Sequence, residues 1–504
     1  MNLAKLAEDR VKELGVWTSL IFEDREITNV EMARMSQKLG RALQDLGVRK
    51  GDRVILQMPN CPEVLQSFQA VWRIGAVVVP INYLVGEEEI AYIYDDSGAK
   101  VVISSLPFLP KIRAARTKVP GPETIILIDP EVPEGTVSYR EIVGKSPEDQ
   151  DVVETEDDDL ATLIYTAGTT GRPKGVMHSH FSLYSNARMQ FESLSLPDGM
   201  ISVFVLPLCH SYGIASMNQG LFRRGGRAIL LISFDVEAIF SSIQKYRANI
   251  LAGVPTMYVF MLLYPEPRKY DLSSMKYWFC GSAPLALETF NRFKEVFGFG
   301  IIEGWGLTEA GANNSVNPPE GVKKVGSIGL PMKGMEMKVV DDEGKVLPAR
   351  KEGEIVIRGP MLMKGYWNKP EETVEVLRGG WLHTGDIGYV DEDGYFWITD
   401  RKKDLIIKAG ENISPRTIEE VLFKYPKVSE AAVIGIKDEI YGENIKAFVV
   451  LKPGQTATTE EVIEYCRAKL SNFLLPKEIV FLKALPKSLV GKVLKKELRK
   501  LKSD

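Results

Sequence analysis

A chain of 504 residues is long for one domain and predicts two or three structural units. Hydrophobic residues make up 45% of it and charged residues 26%, which is the balance of an ordinary globular protein. The formal net charge of −4 excludes a protein built mainly to bind nucleic acid, because such a protein needs a basic excess to neutralise phosphates.

The four cysteines are dispersed without a CxxC pair, and only four histidines accompany them, which excludes the common zinc motifs. Free cysteines indicate a reducing compartment, so we expect a cytoplasmic protein. The first segment, MNLAKLAEDRVKELG, lacks the continuous apolar core of a signal peptide. No apolar run approaches the roughly eighteen residues of a transmembrane segment. Peripheral membrane contact and the oligomeric state stay open.

Short β-branched runs alternate with helical stretches from about Arg53 to Pro360. The predicted strands are RVILQM, AVVVPI, KVVIS, TIILID, ISVFVLPL, RAILLI, NILAGVP and YWFCG. This alternation predicts an α/β fold, with parallel sheets covered by helices. In such folds ligands bind at the carboxyl ends of the strands, where most of the glycine-rich stretches lie.

The pattern of predicted secondary structure changes near Gly334. The stretch MEMKVVDDEGKVLPARKEGEIVIRGP predicts hairpins in a small antiparallel or β-barrel-like unit. After Arg401 the chain becomes rich in lysine, and the runs EAAVIGI, KAFVVLKP and EIVFLKALP, with a helix from Thr458, predict a small α+β unit. We place the domain boundary there, which gives an N-terminal domain of residues 1–401 and a C-terminal domain of residues 402–504.

The stretch YTAGTTGRPKGV, which follows an apolar run, contains the residue types of a phosphate-binding loop. Glycines let the backbone approach a charged ligand, successive amides bind anions, and threonine hydroxyls and a lysine add donors. It is not a Walker A loop, because Pro173 stands where that motif needs glycine and Lys174 is followed by Gly175.

This loop resembles the signature loop of the adenylate-forming superfamily, which contains acyl-CoA synthetases, adenylation domains of nonribosomal peptide synthetases and luciferases. Further motifs of that superfamily follow in order over nearly the whole chain. The family usually has serine at Ala167, which removes one hydroxyl here but keeps the amide. The resemblance implies that the loop holds the phosphates of ATP through Thr166, Gly168, Thr169, Thr170, Gly171 and Lys174.

Two motifs at strand ends add the rest of a nucleotide site. In GSAPL, the small residues Gly281, Ser282, Ala283 and Pro284 leave a flat slot for an adenine edge. In GWGLTEAG, Trp305 offers a ring for stacking beside Gly306, and Thr308 offers a hydroxyl for the α-phosphate. Glu309 is a candidate Mg²⁺ ligand, with Thr166 as a second, since Mg²⁺ prefers one or two carboxylates plus phosphate oxygens.

The remaining matches concern the ribose and the C-terminal domain. Asp386 and Arg401 suit the ribose hydroxyls. The resemblance implies that Lys403 is the hinge about which a mobile C-terminal lid domain turns, that Gly410 lines the tunnel for coenzyme A, and that Lys492 is the catalytic lysine. A mobile ammonium there stabilises the negative charge that builds up on the phosphoryl oxygens.

The segment LPLCHSYGI resembles the segment that flanks the acyl pocket in the family, and this implies that His210 and Tyr212 line the pocket. The catalytic candidates that the resemblance implies are His210, Thr308, Glu309 and Lys492. The segment LPLCHSYGI has no carboxylate to pair with the ammonium group of an amino acid. Relatives specific for acetate place tryptophan at Gly306, so glycine predicts an open channel and an acyl group larger than acetate. Medium- or long-chain fatty acids and aryl acids both remain.

We therefore interpret the chain as an AMP-forming acyl-CoA ligase. MgATP and a carboxylic acid, most simply a medium- or long-chain fatty acid, give an acyl-adenylate, and coenzyme A then gives the thioester. The alternatives are an aryl-acid–CoA ligase, a stand-alone adenylation domain that loads a carrier protein, and, in another class, a nucleotide-binding sensor without catalysis.

Overall fold

The computed structural model describes residues 1–166, 172–222, 225–487, 491 and 493–501. It confirms the α/β class, with a large N-terminal part of sheets and helices followed by a small C-terminal part. Within these residues the α-helices are α1 (Leu3–Leu14), α2 (Asn29–Asp45), α3 (Pro62–Arg73), α4 (Glu87–Ser97), α5 (Leu109–Arg116), α6 (Tyr139–Lys145), α7 (His180–Leu194), α8 (Ser211–Gln219), α9 (Val236–Tyr246), α10 (Pro255–Leu263), α11 (Leu287–Phe297), α12 (Pro370–Val376), α13 (Pro415–Phe423), α14 (Thr459–Arg467) and α15 (Lys495–Leu498).

The strands form two large mixed sheets, a small antiparallel sheet and a C-terminal sheet. They are β1 (Thr18–Phe22), β2 (Arg25–Thr28), β3 (Arg53–Gln57), β4 (Val77–Pro80), β5 (Val101–Ser104), β6 (Thr124–Leu127), β7 (Val137–Ser138), β8 (Leu160–Thr166), β9 (Lys174–Ser179), β10 (Ile201–Phe204), β11 (Arg227–Leu230), β12 (Ile250–Gly253), β13 (Tyr277–Cys280), β14 (Ile301–Trp305), β15 (Ser315–Val316), β16 (Leu330–Pro331), β17 (Glu336–Val340), β18 (Gly353–Arg358), β19 (Gly365–Tyr366), β20 (Leu377–Arg378), β21 (Trp381–Val390), β22 (Phe396–Arg401), β23 (Ile406–Lys408), β24 (Glu411–Ile413), β25 (Val428–Asp438), β26 (Gly442–Leu451) and β27 (Glu478–Phe481).

The two large sheets explain the apolar runs of the sequence. One has the order β16-β15-β14-β13-β12-β10-β11-β1-β2, and the other has the order β19-β9-β8-β4-β3-β5-β6-β7. Their central strands pair in parallel, and β4, β5 and β13 are buried along their whole length. Because parallel strands are covered by helices on both faces, they read as continuous runs of Val, Ile and Leu rather than as an alternating pattern.

The antiparallel hairpins predicted after Gly334 form a third sheet, β17-β18-β21-β20, with β22 paired to β21. This small sheet positions two site residues, because Asp386 of β21 and Arg401 of β22 are directly opposite partners in the register. Cross-strand partners hold their side chains about 5 Å apart, so the pairing itself brings these two groups together.

The C-terminal part has a sheet and a core of its own. Its strands take the order β24-β23-β26-β25, and β27 pairs in parallel with β26 through the crossover helix α14, as the sequence predicts. One apolar cluster begins at Ile406 and contains buried residues such as Ile418 and Val433, and a second contains Ile434 and Phe448. A self-contained core of this kind is what a separately moving unit needs.

Contacts between the two parts define their orientation. Ser414 donates to the Asp400 carboxylate at 2.5 Å, and the Arg416 guanidinium donates to the carbonyl of Ile398. Farther along, Gly491 lies so close to Thr256 of α10 that a Cβ on it would be 2.9 Å from the threonine hydroxyl. None of the helices within the described residues combines the length and the apolar composition of a membrane span.

Candidate active site

The predicted site residues converge on one cleft between the N-terminal and C-terminal parts, with a volume of about 3110 Å³. Among the residues lining it are Thr166, Lys174, His210, Tyr212, Gly281, Ser282, Ala283, Pro284, Trp305, Gly306, Thr308, Glu309, Asp386, Arg401, Lys403 and Gly491. The predicted residues Gly168, Thr169, Thr170, Gly171 and Lys492 lie outside the described residues. Clefts that gather polar groups in this way are the usual location of ligand sites.

Asp386, the candidate ribose-binding residue, joins two other side chains that line the cleft. Its carboxylate is 1% exposed and holds two donors, with Arg401 Nε 2.7 Å from Oδ1 and Trp305 Nε1 2.9 Å from Oδ2. The carboxylate in turn raises the pKa of Arg401. Each carboxylate oxygen accepts more than one hydrogen bond, so Asp386 keeps capacity for the hydroxyls of a sugar.

The turn after β13 also lines the cleft. Ser282 adopts φ +70°, a left-handed conformation that non-glycine residues rarely take and that often marks a functional site. Beside it, a Cβ on Gly281 would stand 3.5 Å from the carbonyl oxygen of Gly304 and from the ring of Tyr212. These are ordinary contact distances, so the turn packs against the end of β14 with room for a Cβ at position 281.

Thr308 and Glu309 are held from three directions in a short 3-10 helix, Thr308–Ala310. The Thr308 hydroxyl lies 3.0 Å from the Ser211 hydroxyl at the start of α8. Tyr366 donates its phenolic hydrogen to Glu309 Oε1 at 2.9 Å. These bonds join the metal candidate Glu309 to β19 and the phosphate candidate Thr308 to α8.

His178 is a third partner of this segment that sequence reasoning missed. Its Nε2 lies 2.6 Å from the carbonyl oxygen of Thr308, which can only accept, so Nε2 carries the hydrogen. Nδ1 lies 3.1 Å from the hydroxyl oxygen of Ser182. Burial lowers the pKa of His178 to about 4, so the imidazole is neutral near pH 7. A lone histidine in a strand gives no signal for such a contact, 130 residues away in the sequence.

The side chain of Lys174 is engaged by two residues that sequence reasoning also missed. Its ammonium forms an ion pair with Glu372 of α12 and lies 4.8 Å from the centre of the Tyr366 ring. The side chain of Lys174 is 14% exposed and that of Glu372 is 29% exposed, so the pair is partly shielded from water. The acidic stretch PEETVEV gave no sign in the sequence that one of its carboxylates pairs with Lys174.

His210 and Tyr212, the candidate acyl-pocket residues, lie at the start of α8. His210 is the N-cap of this helix, and its Nδ1 accepts from the backbone N–H of Tyr212 at 3.2 Å. This bond orients the imidazole at the cleft wall and satisfies one of the free amides at a helix start. Tyr212 is 9% exposed, and burial raises the pKa of its phenol.

The structure corrects the reason for glycine at position 306. Gly306 lines the cleft, but a Cβ there would lie 1.1 Å from the carbonyl oxygen of Ala312. Glycine is therefore required by a close approach of two backbone segments, and its presence is not a sign of an open acyl channel. The size of the acyl group must be argued from other residues.

Part of the lining of the same cavity is apolar. It includes Phe204, the last residue of β10, and Leu206 just after it. Side chains that line it include those of Met32, Leu65, Met217 and Ala228. Flexible methionines and aliphatic side chains suit an apolar chain of variable length.

The next two candidates are Lys403, the predicted hinge, and Gly410, the predicted tunnel residue. Lys403 is exposed, in a 3-10 helix directly after Arg401. Gly410 has φ +83° and is exposed in a turn that is not among the residues lining the cleft. In this orientation of the C-terminal part, Gly410 therefore stands apart from the nucleotide-binding groups. Its assignment to a tunnel, like the hinge at Lys403, stays a prediction.

Known proteins match this chain over nearly its whole length. Residues 7–367 match the AMP-binding enzyme family, and residues 417–492 match the AMP-binding enzyme C-terminal domain. A long-chain-fatty-acid–CoA ligase of Bacillus subtilis (strain 168) is 36% identical over 525 residues, which cover 99% of this chain and 94% of the relative. A feruloyl-CoA synthase of Amycolatopsis sp is also 36% identical, over 94% of each chain.

Solved structures also match the fold of this chain over nearly its whole length. ATP-bound MatB from Rhodopseudomonas palustris, 32% identical, superposes with a TM-score of 0.90 over 99% of both chains, whereas apo MatB gives 0.79. Since both are structures of one protein, the arrangement of this chain is nearer to that of the ATP-bound state. From the two matched domains and these relatives, the chain belongs to the family of AMP-binding enzymes, and it is an AMP-forming acyl-CoA ligase.

Proposed function

We propose that this ligase activates a medium- or long-chain fatty acid with MgATP and transfers the acyl group to coenzyme A. The observation that carries the proposal is a cleft whose lining includes both the candidate nucleotide-binding groups and apolar side chains of α2, α3 and α8. The B. subtilis relative, named for long-chain fatty acids, supports the same class of acid.

In the first half-reaction, a carboxylate oxygen of the acid attacks the α-phosphorus of ATP, and the bond to the bridging oxygen of pyrophosphate breaks. We assign the ribose to Asp386 and Arg401, the adenine to Trp305 and the turn of residues 281–284, and the α-phosphate to Thr308. Thr166, Lys174 and the loop between them bind the departing pyrophosphate. The bonds already present at Asp386 and Thr308 support these roles, because groups fixed before substrate binds cost little to align.

The residues present fit a magnesium ion. Glu309 and Thr166 both line the cleft, and phosphate oxygens of ATP would add ligands of the kind that Mg²⁺ prefers. When bound, the ion would neutralise phosphate charge.

In the second half-reaction, the thiol sulfur of coenzyme A attacks the acyl carbon, the bond to the AMP oxygen breaks, and the thiol proton passes to solvent. We assign residues 402–504 to a C-terminal lid domain that turns at Lys403 between the two steps. Lys492 is its catalytic lysine and Gly410 lines the tunnel for the thiol arm. The orientation that places Gly491 beside Thr256 supports the role of Lys492 in the first step. We place the reaction in the cytoplasm, on the strength of the free cysteines.

An aryl acid is the second candidate substrate, because the feruloyl-CoA synthase of Amycolatopsis sp is as similar to this chain as the fatty-acid ligase is. The test is the rate of acid-dependent ATP–pyrophosphate exchange with acetate, octanoate, palmitate, benzoate and ferulate. The proposal expects the fatty acids to give the highest values of kcat/KM. A maximum with ferulate or benzoate would overturn the fatty-acid assignment.

A further inference from the structure

Glu372 is the one acidic side chain, within the described part of the chain, that forms an ion pair with the phosphate-loop lysine Lys174. It belongs to none of the motifs of the reaction, and its neighbour Glu371 in the same first turn of α12 is exposed. The pair therefore raises a question that the two half-reactions leave open, namely what holds the ammonium when no phosphate is bound.

The neighbourhood of Glu372 is built into the sheet. Tyr366 of β19 pairs with Val176 of β9, and the backbone N–H of Trp367 donates to the carbonyl of Gly175 at 2.7 Å. This segment runs directly into α12, so Glu372 has a fixed position beside Lys174. Tyr366 is 7% exposed and contacts two site residues. Its ring packs against the Lys174 ammonium, and its hydroxyl donates to the Glu309 carboxylate.

A shielded ammonium without a counterion is costly, and Glu372 removes that cost in the empty site. The same ammonium is needed by the phosphates, so binding of ATP or pyrophosphate must draw Lys174 away from Glu372. Because the ion pair stabilises the site before ATP binds, it weakens the binding of every polyphosphate. When pyrophosphate leaves, Lys174 pairs with Glu372 again.

We propose that Glu372 is a positioning residue that competes with pyrophosphate for Lys174 and so promotes release of this product. The inference rests on the proposed role of Lys174 in binding pyrophosphate. The inference predicts that removal of the Glu372 charge increases the affinity for pyrophosphate and ATP. Simple damage to the site would lower that affinity.

The test compares Glu372→Gln with the matched control Glu371→Gln in acid-dependent ATP–pyrophosphate exchange. We expect the KM for pyrophosphate and the KM for ATP to fall about fivefold to tenfold in Glu372→Gln, as befits a partly buried ion pair. The control should behave as the wild type does. The difference should shrink as salt is raised, because the competition is between charges.

Two further variants separate competition from structure. Glu372→Asp keeps the charge on a shorter side chain, and its KM values should lie between those of the wild type and Glu372→Gln. In a Lys174→Met background, Glu372→Gln should leave the inhibition of thioester synthesis by pyrophosphate unchanged. An unchanged or higher KM for pyrophosphate in Glu372→Gln would overturn the inference alone. A wild type without any acid-dependent exchange would overturn the proposed function, and the inference with it.

Discussion

At the scale of the residue, Trp305 contributes an N–H as well as a ring. Its Nε1–H donates to Asp386 at 2.9 Å, on the side of the carboxylate away from Arg401. Trp305 therefore has a donor that fixes the proposed ribose-binding group. A hydrogen bond to a charged acceptor contributes about 1.5–3 kcal/mol when it is well shielded.

Trp305→Phe tests this contact, because phenylalanine keeps a ring for adenine but loses the donor. We expect the KM for ATP in the exchange assay to rise about fivefold or more, with a smaller change in kcat, since the carboxylate is no longer fixed in advance. Trp381→Phe, in the same β21 as Asp386, is the control and should behave as the wild type. An unchanged KM for ATP in Trp305→Phe would contradict the role of the N–H.

Glu303 gives a prediction on pH. It accepts from the backbone N–H of Gly326 at 2.7 Å and lies near Arg416, yet burial raises its pKa to about 7 from an ordinary value of 4.5. Between these two values the unfolded carboxyl loses its proton while the folded one keeps it. The folded state therefore loses stability as the pH rises from about 4.5 to about 7.

Glu303→Gln removes this titration, so the variant should lose less stability than the wild type between pH 5 and pH 7.5. The measurement is the free energy of unfolding in urea at several pH values for both proteins. Parallel pH profiles would show that Glu303 is not protonated in the folded protein near neutrality.

Individual site residues differed in how far the sequence could predict them. Asp386 and Arg401 belong to a recognisable stretch, and the structure pairs them directly. His178, Tyr366 and Glu372 act through contacts with residues that are 57 to 198 positions away in the sequence. Such contacts depend on which strands become neighbours, and a single sequence holds no record of that.

At the scale of the element, the segment after β14 is shaped by backbone contact. A side chain at Gly306 would collide with the Ala312 carbonyl, and one at Gly213 would lie 2.3 Å from the carbonyl of Pro207. Both glycines lie in segments that carry site residues, so close backbone packing sets the positions of Trp305, Thr308 and Tyr212.

Gly306→Ala should therefore displace the Trp305–Thr308 segment. We expect a loss of stability of about 1–3 kcal/mol or more, as for overpacked sites, and a large fall in adenylate formation. Gly144→Ala in α6 is the matched control, since a Cβ there meets nothing within 4 Å among the described residues. Full activity of Gly306→Ala would show that this segment adapts easily.

Most elements could be predicted because burial leaves a clear pattern. Each of the eight apolar runs named in the sequence contains a strand, from β3 to β13, and the C-terminal crossover through α14 also follows its pattern. The order of strands within each sheet could not be predicted in the same way. Nor could the role of glycine at 306, because the sequence does not show which backbone approaches it.

At the scale of the whole molecule, the orientation of the C-terminal part is fixed by a few bonds beside the proposed hinge. The buried Asp400 carboxylate accepts from the Ser414 hydroxyl at 2.5 Å and from the backbone N–H of Arg416 at 3.4 Å. A turn about Lys403 would separate these groups. The bonds therefore favour the orientation in which Gly491 lies on the N-terminal part.

Asp400→Asn weakens these bonds, so it should slow adenylate formation severalfold while leaving the reaction of coenzyme A with supplied acyl-adenylate unchanged or faster. Single-turnover rates of the two half-reactions measure this directly. Asp393→Asn, on the exposed turn before β22, is the control. Equal slowing of both half-reactions would mean that Asp400 supports the fold rather than one orientation.

The most direct test of the central claim, that the cleft joins an ATP site to an apolar acyl site, is the product analysis of one reaction series. The enzyme is given ATP, Mg²⁺ and coenzyme A with acetate, octanoate, palmitate, benzoate, ferulate or an amino acid, and AMP and thioester are quantified. We predict AMP and acyl-CoA in equal amounts, with the highest kcat/KM for a fatty acid of eight carbons or more. Release of ADP, or AMP formation that does not depend on the acid, would contradict the claim.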